Sequence, residues 1–317
     1  MDWFGVRIDG PMVVIRAIHF AATAVMAGSL LFRVAVAAPV SGSDSVAAAL
    51  MRMQTLRTGW IGLAIAAGSG VIWLPLQAIS MSGLPPGEAM TSDVLLTVLN
   101  QTQFGLVCQI RLAIAVILAA CLSYDRFAVS RGLGLAAALG LTAAIAWTGH
   151  AAAAMGATGL LHLAADVLHL VAAAAWIGGL VALVRLLAET RGHPAHAAFA
   201  RDTTRRFSTL GIAAVGTLLV SGVVNSWMLA GSFRALAVTG YGRLLALKIG
   251  LFAVMVAFAA VNRLWLTPQL VRAGTCERQL ELFDHLRRNS LIEIALGLLI
   301  FAVVGVLGTL HPAIHFM

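Results

Sequence analysis

What most limits the folds open to this chain is the length of its apolar runs. Segments 132–153 and 207–230 hold no Asp, Glu, Lys or Arg, and others of similar length hold few. About 20 such residues are what a helix needs to cross a hydrocarbon core roughly 30 Å thick. Only 11% of the 317 residues are charged, against roughly 25% in soluble domains, so there is too little polar surface to cover a water-soluble globule. The sequence predicts an all-α, polytopic membrane protein of eight transmembrane helices, near 11–37, 58–80, 103–124, 132–153, 160–187, 207–230, 241–264 and 289–310. Pro, Gly and charge clusters separate these spans.

A net charge of +8 invites a nucleic-acid partner, because basic patches neutralise phosphates. The arrangement argues against one. Twenty of the 21 basic residues are arginine, and most stand singly or in pairs between apolar runs, as charges that set membrane topology do. Fifteen of them fall in the connections between spans 1–2, 3–4, 5–6 and 7–8, against four (Arg7, Arg16, Arg234, Arg243) on the other side. The positive-inside rule then places both termini on the outer, periplasmic side, and the expected partner is the lipid bilayer rather than nucleic acid. Cys108, Cys121 and Cys276 form no C-x-x-C, so neither a disulfide framework nor a thiolate metal site is implied. Ala35–Ala38 resembles a signal-peptide cleavage site. The apolar stretch before it is longer than a usual signal core and carries Arg33 late, so the segment is expected to be a retained helix.

The chain also resembles itself. Ile18-His19-Phe20, running to Gly28-Ser29-Leu30, matches Leu168-His169-Leu170, running to Gly178-Gly179-Leu180. Ser69-Gly70-Val71 matches Ser221-Gly222-Val223. Thr102 to Gly105, then Arg111 and Asp125-Arg126, matches Thr239 to Gly242, then Lys248 and Asn262-Arg263. Thr148-Gly149-His150 matches Thr309-Leu310-His311. Four matches in one order predict two four-helix repeats, 1–155 and 156–317. An even number of spans gives both the same orientation, and sites in such proteins commonly lie where repeats meet.

Topology and repeat together gather histidines at the periplasmic face. His19 and His169 lie in the outer halves of spans 1 and 5, and His150 and His311 at the outer ends of spans 4 and 8. His162, Asp166 and His169 recur at i, i+4 and i+7 and so share one helical face. Met12, Arg16 and His19 are the corresponding residues of span 1, and Met155 follows in the short outer loop. Imidazole, thioether and carboxylate without thiolate form a ligand set suited to copper, Cu(I) or Cu(II). Ionisable groups inside spans are costly and tend to mark sites, although a membrane histidine also serves as a helix–helix hydrogen-bond partner. The candidate metal ligands are His19, His150, His162 and His169, followed by Asp166, Met12, Met155 and His311. Asp166 has a second reading, as the group that orients His162 or His169. Arg111 and Lys248 read either as snorkelling cations or as counter-charges to Asp166 or an anion. Glu293 and Cys121 stand isolated in the inner half, and no general acid, base or nucleophile constellation appears, so an enzyme is not expected.

Leu161-His162-Leu163-Ala164-Ala165-Asp166-Val167-Leu168-His169, continuing through Trp176-Ile177-Gly178-Gly179-Leu180, resembles the signature helix of the copper resistance D (CopD) family. Arg206-Phe207-Ser208, Ser221 to Trp227, Tyr241 to Lys248 and Asn262-Arg263 resemble the rest of that family's domain. The resemblance implies a bacterial inner-membrane protein that moves copper from periplasm to cytoplasm, served by a separate periplasmic copper-binding protein of the CopC type. One rival is a b-type haem protein with His19 and His169 as axial ligands. Another is a sensory or assembly subunit whose histidines only hold helices together.

Overall fold

A computed structural model of the chain describes residues 2–3, 6–7, 9–43, 45–149, 156–311 and 314. A two-residue antiparallel pairing, Asp2–Trp3 with Val6–Arg7, precedes a bundle of helices. These are α1 (Gly10–Leu31), α2 (Ser45–Ser82), α3 (Pro86–Ala89), α4 (Ser92–Gln101), α5 (Gln103–Ser123), α6 (Ala128–Ala143), α7 (Gly156–Gly192), α8 (Ala197–Ala230), α9 (Phe233–Val238), α10 (Gly240–Val261), α11 (Thr267–Arg272) and α12 (Cys276–Leu307). Single π-helical stretches, Phe32–Ala37 and Asn262–Leu266, extend α1 and α10. Eight of the resulting helical segments are long and apolar enough to cross a membrane.

α1 and α7 form the axis of the bundle. Of their most apolar windows, 72% and 56% are buried inside the protein, against 17–39% for the other six. The two helices touch backbone to backbone. A Cβ on Gly28 would lie 1.8 Å from the carbonyl oxygen of Ala174, and one on Gly178 would lie 2.7 Å from that of Ala24. Ser29 Oγ donates to Gly178 O across the same contact at 3.2 Å. Small residues are what allows such an approach where lipid supplies no hydrophobic drive. α2 flanks α1, α8 flanks α7, and α12 packs against both axial helices and α10.

The helices outrun the apolar spans. α2, α8 and α12 begin 13, 10 and 13 residues before the first span residue read from hydropathy. At about 1.5 Å per residue, the 38 residues of α2 extend ~57 Å. Hydrogen bonding continues through Arg-, Gln- and Leu-bearing turns that water can solvate, because those residues are good helix formers.

At the arginine-rich end a buried carboxylate ties the first helices together. Arg33 donates to both oxygens of Asp125, at 3.0 and 2.5 Å, and Arg52 Nε donates to it at 2.7 Å. Burial opposes ionisation of Asp125, but the hydrogen bonds and charges of Arg33 and Arg52 prevail, holding its carboxyl below the ordinary value of 3.8. A depressed pKa gives stability that is fully present above the unfolded value and is lost as pH falls through the folded one. Thermal unfolding in detergent should therefore show a loss of stability as pH drops below 3.8. Asp125→Asn should lose that acid-dependent component, and an unchanged profile would exclude Asp125 as its source.

Candidate functional site

His19 is held from both sides. Ser69 Oγ–H is directed to the carbonyl of Ile65 at 2.6 Å. The contact between Ser69 Oγ and His19 Nδ1 at 2.9 Å is therefore one in which Nδ1–H donates. That assignment leaves Nε2 as the acceptor, and Arg111 Nη2 donates to it at 2.6 Å. The other arm of Arg111 donates to Leu141 O at 2.5 Å. Trp73 packs edge-on against the imidazole at 5.3 Å between centroids, and the Arg16 guanidinium lies over Trp73 and Phe20 at 5.0 and 5.5 Å. Arg111 is thus neither a snorkelling residue nor a counter-charge to Asp166; it caps His19.

His169 repeats half of this arrangement. Ser221 Oγ–H is directed to Thr217 O at 2.5 Å, and His169 Nδ1–H donates to Ser221 Oγ at 3.0 Å. Gly222 leaves room beside the ring, as Gly70 does beside His19: a Cβ at either would meet the imidazole Cε1 at 3.6 or 3.7 Å. The departures lie around this shared frame. Lys248 stands at the position of Arg111, and among the described residues no hydrogen bond to His169 Nε2 is formed. Asp166 occupies the place of Arg16, and Asn225, in the place of Trp73, donates to it at 3.2 Å. Lys248 is within electrostatic range of both Asp166 and His169.

A frame of the same shape therefore carries two different electrostatic environments. Around His19 it holds two buried guanidinium groups, and around His169 a carboxylate, an ammonium and a ring nitrogen to which no described residue donates. His162, one turn above Asp166 on the same helix, is buried. Among the described residues no three His, Cys, Asp or Glu side chains converge into a set that could hold a metal ion. His150 and Met155 lie outside the described residues. Met12 packs in the apolar core, and His311 is exposed beyond the end of α12. The serines, Asn225 and Trp73 carry no signal of their own in an apolar helix; their spacing from the histidine shows only when the two halves are compared.

Glu293 is not isolated. Trp176 Nε1 and Asn262 Nδ2 donate to its two carboxyl oxygens at 3.1 and 2.7 Å, and Asn289 donates to Asn262 Oδ1 at 2.9 Å. The partners come from three separate stretches of sequence, so no local motif announces them.

The eight spanning helices and the buried histidine–serine pairs define a polytopic membrane protein with polar sites inside its bundle. The chain belongs to the copper resistance protein D family. The family's profile matches residues 201–307, and that of the copper resistance protein D-like N-terminal domain matches 7–160. It is 29% identical to the copper resistance protein D of Pseudomonas syringae pv. tomato, over 80% of this chain and 82% of that protein. It is 33% identical to the copper transport protein CutJ of Bacillus subtilis (strain 168), over 73% of this chain but 42% of the relative. It is also 33% identical to the inner membrane protein YebZ of Escherichia coli (strain K12), over 53% of this chain and 55% of the relative. No solved structure matches the chain.

Proposed function

We propose that the protein is a copper carrier of the bacterial inner membrane, which takes copper on its periplasmic face and passes it toward the cytoplasm. The carrying observation is His169, whose Nδ1 is held by Ser221 while no described residue donates to Nε2. A second partner that fixes tautomer and ring orientation is what metal-binding histidines ordinarily have. His162 and Asp166 on the same helical face, with His150 and Met155 from the stretch of sequence before α7, are the remaining candidate ligands. His19 is the structural counterpart, its Nε2 already spent on Arg111. The reading is supported by copper-related names among the relatives, copper resistance protein D and copper transport protein CutJ. YebZ's name as an inner membrane protein supports the location.

On this reading the bundle consists of two four-helix repeats with both termini periplasmic. The matched histidine–serine pairs and the reciprocal Gly28 and Gly178 contacts support it, as does the arginine asymmetry. Copper arrives from a separate periplasmic protein of the CopC type, and the protein carries its cargo without catalysing a reaction. The haem alternative is disfavoured because the atom His19 would offer iron is held by Arg111. Metal analysis with a visible spectrum on the purified protein tests the proposal. Bound copper without a haem spectrum is expected; an intense haem spectrum, or no copper taken up from a Cu(I) donor, would overturn it.

A further inference from the structure

Glu293 lies near the middle of α12 and is 1% exposed. Among the described residues its oxygens are engaged by two neutral donors, Asn262 to Oε1 at 2.7 Å and Trp176 to Oε2 at 3.1 Å. α12 packs against α1, α7, α8, α10 and α11; three arginines on or beside those helices are engaged elsewhere, and Arg287 of α12 itself lies six residues, or about 9 Å of helix, from Glu293. Arg33 is bonded to Asp125, Arg185 on α7 to Thr58 and Gln54, and Arg263 after α10 to Ser208. On the outer side, Asp166 and His169 of α7 lie seven or more residues from Trp176, and Lys248 of α10 lies fourteen residues, or about 21 Å of helix, from Asn262. Among the described residues no charged side chain forms a hydrogen bond or ion pair with Glu293.

An ionised carboxylate buried without a counter-charge costs several kcal/mol. Asp125, at the sequence position matching Asn262, meets that cost with two arginines; Glu293 has none. A neutral acid removes the cost.

We propose that Glu293 is a proton-binding site of the carrier. The carboxylic acid holds a proton in the copper-free protein. When a cation enters the inner half of the bundle, the O–H bond breaks and the proton leaves to the inner side, so the local charge is conserved; once the cation has left inward, Glu293 regains a proton from the outer side. The second step rests on the carrier reading above; the first does not.

Infrared spectroscopy of the copper-free protein near neutral pH reads the first step. The wild type should show the carbonyl stretch of a protonated carboxylic acid, shifted in D2O, that is missing in Glu293→Gln and kept in His169→Ala. Wild-type and Glu293→Gln spectra that coincide in this region would overturn the proposal, because Glu293 would then be ionised. Should Glu293→Gln fail to fold, Glu293→Asp serves instead: a displaced acid band supports the assignment and an unmoved one overturns it. In proteoliposomes given Cu(I), the wild type should release a proton for each copper ion transported, and Glu293→Gln none. Equal release by both would overturn the coupling. A wild type that transports no copper but keeps the acid band sinks the carrier reading while leaving the proton site standing.

Discussion

His169→Ala should weaken copper binding at least about 100-fold, or ~2.7 kcal/mol, while His19→Ala should leave copper affinity within a few fold of wild type. The two histidines occupy matched positions, so neither the helix nor its depth distinguishes them. The difference lies at Nε2. In His19 that nitrogen accepts from Arg111 at 2.6 Å, and a metal could bind there only by displacing a buried guanidinium. In His169 the Ser221 hydroxyl leaves it available. Ser221→Ala is the graded version, because it removes the group that fixes the tautomer without removing the ligand. Loss of such an outer partner costs a metal site about 10–100-fold in affinity. Competition titration of each purified variant against a Cu(I) chelator gives the numbers. Equal losses in His19→Ala and His169→Ala would mean that both halves bind copper. No loss in either would mean that the histidines only join helices, through Ser69 and Ser221.

The difference between the two histidines was partly legible, because His162 and Asp166 share the helical face of His169 where Met12 and Arg16 stand beside His19. The eight spans were legible because they rest on hydropathy, which is local. Helix ends were less so. Hydropathy ends a span where apolar residues stop, yet α2, α8 and α12 continue into arginine-bearing turns that water solvates as readily as it would a loop. Arg111 and Lys248 were recognisable as a matched pair, but a guanidinium reaching a histidine and one reaching the interface look alike in sequence. Glu293 looked isolated because Trp176 and Asn262 sit 117 and 31 residues away. Gly28 and Gly178 were visible only as repeat markers; that they mark where α1 and α7 touch needed the backbone.

That contact carries the second large effect. Gly28→Leu should destabilise the protein by more than about 4 kcal/mol, a size reserved for severe structural damage. The first atom added, Cβ, would sit 1.8 Å from Ala174 O and 2.8 Å from Gly178 Cα. Both are backbone atoms, which cannot swing aside as a side chain would, so the two axial helices must separate and reopen the core around Met26, Ala27 and Leu30. Gly178→Leu should do comparable harm, since its Cβ would meet Gly28 Cα at 2.6 Å and Ala24 O at 2.7 Å. Gly68→Leu supplies the control: it lies in α2 with nothing within 4 Å of an added Cβ and should fold normally. Unfolding in mixed detergent micelles, followed by circular dichroism, separates the cases. If Gly28→Leu unfolded at the same denaturing-detergent fraction as Gly68→Leu, the backbone contact between α1 and α7 would not be what holds the halves together. If it unfolds earlier, the double variant Gly28→Leu/Gly178→Leu should lose much less than the sum of the two single changes. Once one leucine has pushed the helices apart, the second enters space already opened.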